Sequence, residues 1–77
     1  MKKIEILGTG CAKCKKLFEA TQQAVKALGI EAEVVKIEDI QKIMGYGIMM
    51  TPGLVVDGEV KSVGKVPSLD ELKKLIG

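Results

Sequence analysis

The stretch of sequence that decides the fold reads IEILGTGCAKC and covers residues 4–14. Its first four residues are mostly apolar and predict a short strand, which the following Gly-Thr-Gly interrupts. Beyond Cys11 the apolar residues keep helical spacing as far as Leu28, and Gly29 is suited to end a helix. A Cys-x-x-Cys pair, Cys11 and Cys14, is therefore predicted at the point where a strand gives way to a helix.

Length and composition limit the chemistry that this pair can serve. The 77-residue chain is long enough for one small domain, and we expect residues 1–77 to form it. A hydrophobic fraction of 47% and a net charge of +2 predict a folded globular chain. The sequence contains no histidine, which excludes His-based nucleophilic catalysis and the commonest zinc ligand. Thiol chemistry remains, because two cysteines so close together close too short a loop to act as a structural staple.

The same composition argues against several partners. All 12 basic residues are lysines, so the chain lacks the forked donors that favour contacts with phosphates and base edges. One Phe, one Tyr and no Trp leave few rings for stacking on single-stranded nucleic acid. No apolar run approaches the length of a membrane span, and the N-terminal one is too short for a signal peptide. We therefore expect no nucleic-acid or membrane partner and a cytoplasmic location, where a Cys-x-x-Cys pair is typically redox-active or metal-binding.

The middle of the chain predicts a second strand and a short helix. Residues 32–37 form a β-prone run, and Glu38-Asp39 then supplies an N-cap and an acidic helix start. Residues 46–52 are predicted as a loop, because the residue before a proline is disfavoured in a helix. The short helix is expected to end at Gly45 and to carry one apolar stripe, with its methionine in the core; the stripe consists of Ile40, Ile43 and Met44.

The last third of the chain predicts a hairpin and a final helix. Asp57-Gly58 stands between the β-prone runs 54–56 and 59–61, and such a pair favours a two-residue hairpin turn. Ser68 and Glu71 have the spacing of a capping box and open a helix. The element order β-α-β-α-β-β-α predicts an α/β fold with a four-stranded mixed sheet and helices on both faces. The residues that the last helix is expected to bury are Leu69, Leu72, Leu75 and Ile76.

The positions of the two cysteines assign them different roles. At the start of a helix, unpaired N–H groups and the helix dipole stabilise an anion, so we expect the pKa of Cys11 to lie below that of an ordinary thiol. Lys13 adds positive potential nearby. Cys14, one turn further along, is expected to be more buried and within reach of Cys11 for a disulfide. Cys11 is therefore the predicted nucleophile and Cys14 the predicted resolving thiol.

In these motifs the chain resembles the thioredoxin superfamily, and specifically its small redox-active disulfide proteins of archaea and bacteria. The resemblance covers nearly the whole chain, because the Cys-x-x-Cys stretch is followed in order by Tyr46-Gly47-Ile48 and Thr51-Pro52. It implies a thiol–disulfide oxidoreductase that acts on protein disulfides through a redox-active Cys11–Cys14 disulfide. It also implies a cis-proline at Pro52 that faces this disulfide, with the Thr51 backbone pairing with an extended substrate segment. The implied partners are disulfide-containing proteins and an upstream reductase; we expect a monomer without a prosthetic group.

Other candidate residues each have two interpretations. Glu5 lies at the offset before Cys11 where thioredoxins carry an acid that assists proton transfer, whereas strand alternation favours a solvated strand glutamate. Met49 and Met50 flank the implied substrate loop, where methionine suits contacts with varied partners, or else they fill the thin core. Tyr46 either shapes the rim of the site or packs on a helix end.

Two other classes of protein remain open from the sequence. A heavy-metal-associated domain also carries Cys-x-x-Cys between its first strand and first helix, and two thiolates suit Cu(I). That family has Met where this chain has Thr9, and it ends helix-then-strand, whereas this sequence predicts a hairpin followed by a helix. The third class is a structural or interaction protein that kept the fold and lost the chemistry; the presence of both cysteines and the Thr51-Pro52 loop argues against it. For the oxidoreductase we expect no metal site.

Overall fold

The computed structural model describes residues 2–10 and 12–77. Seven elements follow one another in the order that the sequence predicts. No helix among the described residues is long and apolar enough to pass through a membrane. The elements are β1 (Lys2–Leu7), α1 (Ala12–Leu28), β2 (Ala32–Ile37), α2 (Ile40–Gly45), β3 (Gly53–Val56), β4 (Glu59–Val63) and α3 (Leu69–Ile76).

The four strands form one mixed sheet in the order β2-β1-β3-β4. β1 runs parallel to β2, with Ile4 opposite Val34, and antiparallel to β3, with Ile4 opposite Val56. β3 and β4 form the predicted hairpin: Asp57 and Gly58 have φ values of 52° and 82°, as a tight turn of this kind requires. The predicted α/β fold with its four-stranded mixed sheet is confirmed.

Strand alternation in β1 sends its side chains into two separate cores. Ile4 and Ile6 lie in the larger core, which packs side chains of α1 and α3 against the sheet. Leu7 lies in the smaller core on the opposite face, together with Ile43 of α2 and Val55 of β3. β1 is one of the two central strands of the sheet, and burying one such side chain contributes about 1.5–3 kcal/mol to its stability.

The starts of the two later helices follow the capping residues that the sequence contains. The Asp39 side chain accepts a hydrogen bond from the Gln41 N–H at 2.9 Å, immediately before α2. The Ser68 hydroxyl oxygen accepts one from the Glu71 N–H at 3.3 Å, immediately before α3. Each side chain satisfies an N–H group that the first turn of a helix leaves unpaired. Both predicted N-caps are confirmed.

Three residues expected in the core are exposed. Ile40 and Met44 of α2 are 59% and 67% exposed, and Leu69 of α3 is 40% exposed. The six-residue α2 is less than two turns long and buries only Ile43 against the sheet. Leu69 is the first residue of α3 and lies before Leu72, the first residue of this helix that is buried in the larger core. The expectation that an apolar stripe is buried along its whole length is therefore wrong at these helix positions.

Candidate functional site

The site lies where the end of β1 meets the first turn of α1. Cys14 belongs to that turn and is 6% exposed. A β-carbon placed on Gly8, directly after β1, would overlap Cys14 Sγ and stand 3.0 Å from Cys14 Cβ. This close approach favours glycine, because a side chain here would displace the thiol or the first turn of α1. The sequence shows Gly8 only as a break after the strand, so this role is not visible from it.

The predicted nucleophile Cys11 lies outside the described residues; in the sequence it directly precedes Ala12, where α1 begins. The first turn of α1 has no acidic residue and carries Lys13 and Lys15, both of them exposed. Unpaired N–H groups and the helix dipole make this end of the helix positive, and the two ammonium groups add to that potential. The start of α1 is therefore an environment that stabilises a thiolate.

The segment of residues 46–52, called the proline segment below, approaches Gly8 beside Cys14. The Thr51–Pro52 peptide bond is cis, the isomer that the resemblance implies. Pro52 is fully buried, whereas Thr51 is exposed. Thr51 Cβ lies 3.9 Å from the position that a β-carbon on Gly8 would occupy, so Thr51 and Cys14 approach the same glycine. The structure thus brings together Cys14, Thr51 and Pro52 from distant parts of the sequence.

Gly64 supports the proline segment from the end of the hairpin. Its N–H donates to the carbonyl oxygen of Pro52 at 2.8 Å. Its φ is +75°, and a β-carbon there would stand 3.1 Å from Met50 Cε. Met50 therefore rests on Gly64 while remaining 62% exposed. These contacts place a flexible apolar side chain beside the cis-proline.

A narrow cleft connects Cys14 with solvent. It has a volume of about 140 Å³, and its charged lining residues are Lys15, Lys36 and Glu38. The Lys36 ammonium lies 4.7 Å from the centre of the Phe18 ring, a cation–π contact that favours this position of the charge at the cleft. Because a water molecule takes up about 30 Å³ in the liquid, the cleft has room for a few waters but not for a polypeptide loop.

Thr51 also lines an apolar groove. Its volume is about 410 Å³, and its lining runs from Thr9 across α2 to the proline segment. Met49 and Met50, which line it, are 97% and 62% exposed, so the interpretation that they fill the core is wrong. The methionines instead form a deformable apolar surface next to Thr51.

Glu5 is not brought together with the thiol. It lies in β1 on the face that α2 covers, whereas Cys14 belongs to α1, which packs on the opposite face. Glu5 is only 8% exposed, so the interpretation as a solvated strand glutamate is wrong. Both of its carboxylate oxygens accept the Tyr46 hydroxyl, at 2.8 and 2.9 Å. This hydrogen bond, followed by burial and the nearby negative charge, raises the pKa of Tyr46 above its ordinary value of 10.0.

Comparisons with known proteins agree with this fold. Residues 2–77 match the family model described as the thioredoxin domain. The chain is 49% identical over 76 residues to a thioredoxin of Methanothermobacter thermautotrophicus, with 99% of each chain covered. It is 42% identical over 71 residues to a thioredoxin of Methanocaldococcus jannaschii, a match that covers 92% of this chain and 81% of that one. A probable thioredoxin of Methanothermobacter marburgensis is 33% identical over 78 residues, covering 96% and 91% of the two chains.

The chain therefore belongs to the thioredoxin family. It is a thiol–disulfide oxidoreductase, as its similarity to thioredoxins over almost the whole chain shows. Family membership points to disulfide-containing proteins as substrates and to a reductase as electron donor. The copper-binding alternative finds no support among these relatives.

Proposed function

We propose that Cys11 and Cys14 are the redox-active pair with which this oxidoreductase reduces disulfides in other proteins. The observation that carries the proposal is the placement of Cys14, which is buried in the first turn of α1, packed on Gly8 and close to Thr51. Cys11 is the only other cysteine in the sequence and directly precedes α1. A Cys-x-x-Cys pair in this position is suited to alternate between dithiol and disulfide.

In the first step, the Cys11 thiolate attacks one sulfur of the substrate disulfide. A bond forms between Cys11 and that sulfur, and the second substrate sulfur leaves as a thiolate that takes a proton from water. The positive end of α1 favours the thiolate form of Cys11. Lys13, exposed in the first turn, tunes this reactivity through its charge and does not contact the substrate sulfur.

In the second step, Cys14 resolves the mixed disulfide. The Cys14 thiol gives up its proton to water and attacks the Cys11 sulfur as a thiolate. The Cys11–Cys14 bond forms, the bond between Cys11 and the first substrate sulfur breaks, and that sulfur leaves and is protonated. The substrate has then gained two electrons, and the Cys11–Cys14 pair has lost them by forming its own disulfide. A narrow cleft is a poor entry for a protein disulfide, so the buried Cys14 is suited to the second attack and not to the first.

Thr51, Pro52 and Met50 form the proposed substrate platform. Thr51 is exposed beside a buried proline, and its proposed role is to pair through its backbone with an extended substrate segment as an added strand. Met50 offers an adaptable apolar contact next to it. The proposed substrates are therefore proteins that present a disulfide in an accessible, extended segment.

The proposed setting is the cytoplasm, where thiols are kept reduced and a Cys-x-x-Cys pair can work as a reductant. There the protein acts as a monomer of one domain without a prosthetic group. An upstream reductase returns two electrons to the Cys11–Cys14 disulfide after each turnover.

A redox titration against defined thiol–disulfide buffers, with bound metal measured on the same sample, tests the proposal. We expect one two-electron transition with a midpoint of about −180 to −270 mV. Cys11→Ser and Cys14→Ser each abolish the transition, whereas Lys26→Gln, at the far end of α1, keeps it. Tight equimolar binding of copper without an accessible disulfide would overturn the proposal.

A further inference from the structure

One part-buried hydrogen bond takes no part in the chemistry above. Glu5 lies within the central strand β1 and is 8% exposed. Its two carboxylate oxygens accept the Tyr46 hydroxyl at 2.8 and 2.9 Å. Removing a carboxylate from water is costly unless it is hydrogen-bonded. The Tyr46 hydroxyl supplies that hydrogen bond from 41 positions away in the chain.

Tyr46 stands where α2 gives way to the proline segment. Its backbone N–H donates to the carbonyl oxygen of Ile43, and the Gly47 N–H donates to that of Met44, which ends the helix. Its ring packs against the smaller core, which also contains Ile48 of the same segment. The hydrogen bond to Glu5 therefore ties the first residue of the proline segment to the central strand.

The same strand reaches both halves of the site. On one face, Gly8 at its end contacts Cys14. On the other face, Leu7 packs with Ile48 in the smaller core, and Glu5 holds Tyr46. The distance between Cys14 and the proline segment thus depends on how that segment is attached to β1.

We propose that Glu5 and Tyr46 are a positioning pair that holds the proline segment in place for binding a substrate disulfide. The inference rests on the proposed function and gives Glu5 a role other than proton transfer to the cysteines. The pair touches neither substrate nor sulfur. Its loss weakens the binding of an extended polypeptide and leaves the intrinsic reactivity of the thiols in place. The cations beside the pair are Lys3 and Lys42, which line the cleft of about 340 Å³ into which it opens.

Tyr46→Phe tests the pair by removing the hydroxyl and keeping the ring. With dithiothreitol as electron donor and insulin as protein disulfide, we expect the KM for insulin to rise about fivefold with little change in kcat. The second-order reaction of the reduced protein with dithiodipyridine, a small disulfide that makes no extended backbone contact, keeps its rate constant within about twofold. Glu5→Gln retains one acceptor oxygen, so its KM rises less. The KM for insulin of the double variant is no higher than that of Tyr46→Phe alone, because both changes remove the same hydrogen bond.

A spectroscopic readout follows the pair directly. Tyr46 is the only tyrosine and the chain has no Trp, so the tyrosinate absorbance reports this residue alone. Glu5→Gln removes a negative charge and one acceptor, so the pKa of Tyr46 falls toward 10.0. Glu33→Gln is the matched control: it changes an exposed glutamate in β2, and we expect it to alter neither the pKa of Tyr46 nor the KM for insulin.

Three outcomes would overturn the positioning role. The first is an unchanged KM for insulin in Tyr46→Phe. The second is that Tyr46→Phe slows the reactions with insulin and with dithiodipyridine by the same factor. The third is a slower dithiodipyridine reaction in Glu5→Gln, which would assign Glu5 to the thiol chemistry. Failure of the proposed function itself looks different, because then the wild-type protein does not reduce insulin, or Cys11→Ser reduces it equally well.

Discussion

Replacing Gly8 with alanine perturbs the close approach of Gly8 to Cys14. The added β-carbon would overlap Cys14 Sγ and stand 3.0 Å from Cys14 Cβ, inside the 3.5–4.0 Å or so at which carbon atoms pack. Relief requires moving the first turn of α1 or turning the thiol away. Overpacking of this kind costs about 1–3 kcal/mol, and we expect Gly8→Ala to lose that much free energy of unfolding. The variant still folds, because small domains have about 5–15 kcal/mol of stability.

Urea unfolding of the reduced protein, followed by far-ultraviolet circular dichroism, measures this loss. Gly45→Ala is the matched control: Gly45 lies in α2 and a β-carbon there meets nothing within 4 Å, so we expect a gain of about 0.5–1 kcal/mol. A displaced Cys14 sulfur also resolves the mixed disulfide more slowly, and we expect the rate constant of this step to fall by about tenfold or more. With dithiodipyridine as substrate, the release of the second thiopyridone measures this step. Wild-type stability together with wild-type release in Gly8→Ala would show that the contact does not constrain the site.

Three further predictions concern the stability that individual polar side chains contribute. Thr21 Oγ1 is buried in α1 without a hydrogen-bond partner among the described residues, so Thr21→Val should raise the free energy of unfolding by about 1 kcal/mol in urea titrations. Ser68→Ala removes the α3 cap and should lower it by about 1 kcal/mol in the same measurement. The pKa of Tyr46 is higher in the folded protein than its ordinary value of 10.0, so the stabilisation that its hydroxyl provides is complete below pH 10.0 and is lost as the pH rises further. The difference in urea midpoint between wild type and Tyr46→Phe should therefore shrink at alkaline pH; a constant difference would contradict this.

Features of the fold with local causes could be predicted from the sequence. The Asp57-Gly58 turn needs two residues that tolerate positive φ, and the Asp39 and Ser68 caps need only one side chain near a helix start. Met44 was not predictable in the same way. Its place on an apolar stripe predicts burial, but the neighbours that decide burial belong to the sheet, and the short α2 presents only Ile43 to it.

The site, too, has features that are visible in the sequence and features that depend on contacts between distant elements. The Cys-x-x-Cys motif and the Thr51-Pro52 segment are visible in the sequence, and the structure places Cys14 close to Thr51. The role of Gly8 is not visible, because it depends on the approach of a helix and a strand. The partner of Glu5 is not visible either, since alternation shows which face a strand residue occupies and not what lies opposite it.

Trapping the mixed disulfide tests most directly the claim that Cys11 attacks and Cys14 resolves. Reduced Cys14→Ser is incubated with insulin whose disulfides are intact, and the reaction is quenched with acid. The adduct is mapped by peptide mass spectrometry, and Cys11→Ser is treated in the same way. We expect a stable adduct at Cys11 in the first variant and only slow modification of the buried Cys14 in the second. An adduct at Cys14 in Cys11→Ser that forms as fast as the Cys11 adduct in Cys14→Ser would contradict the assigned roles.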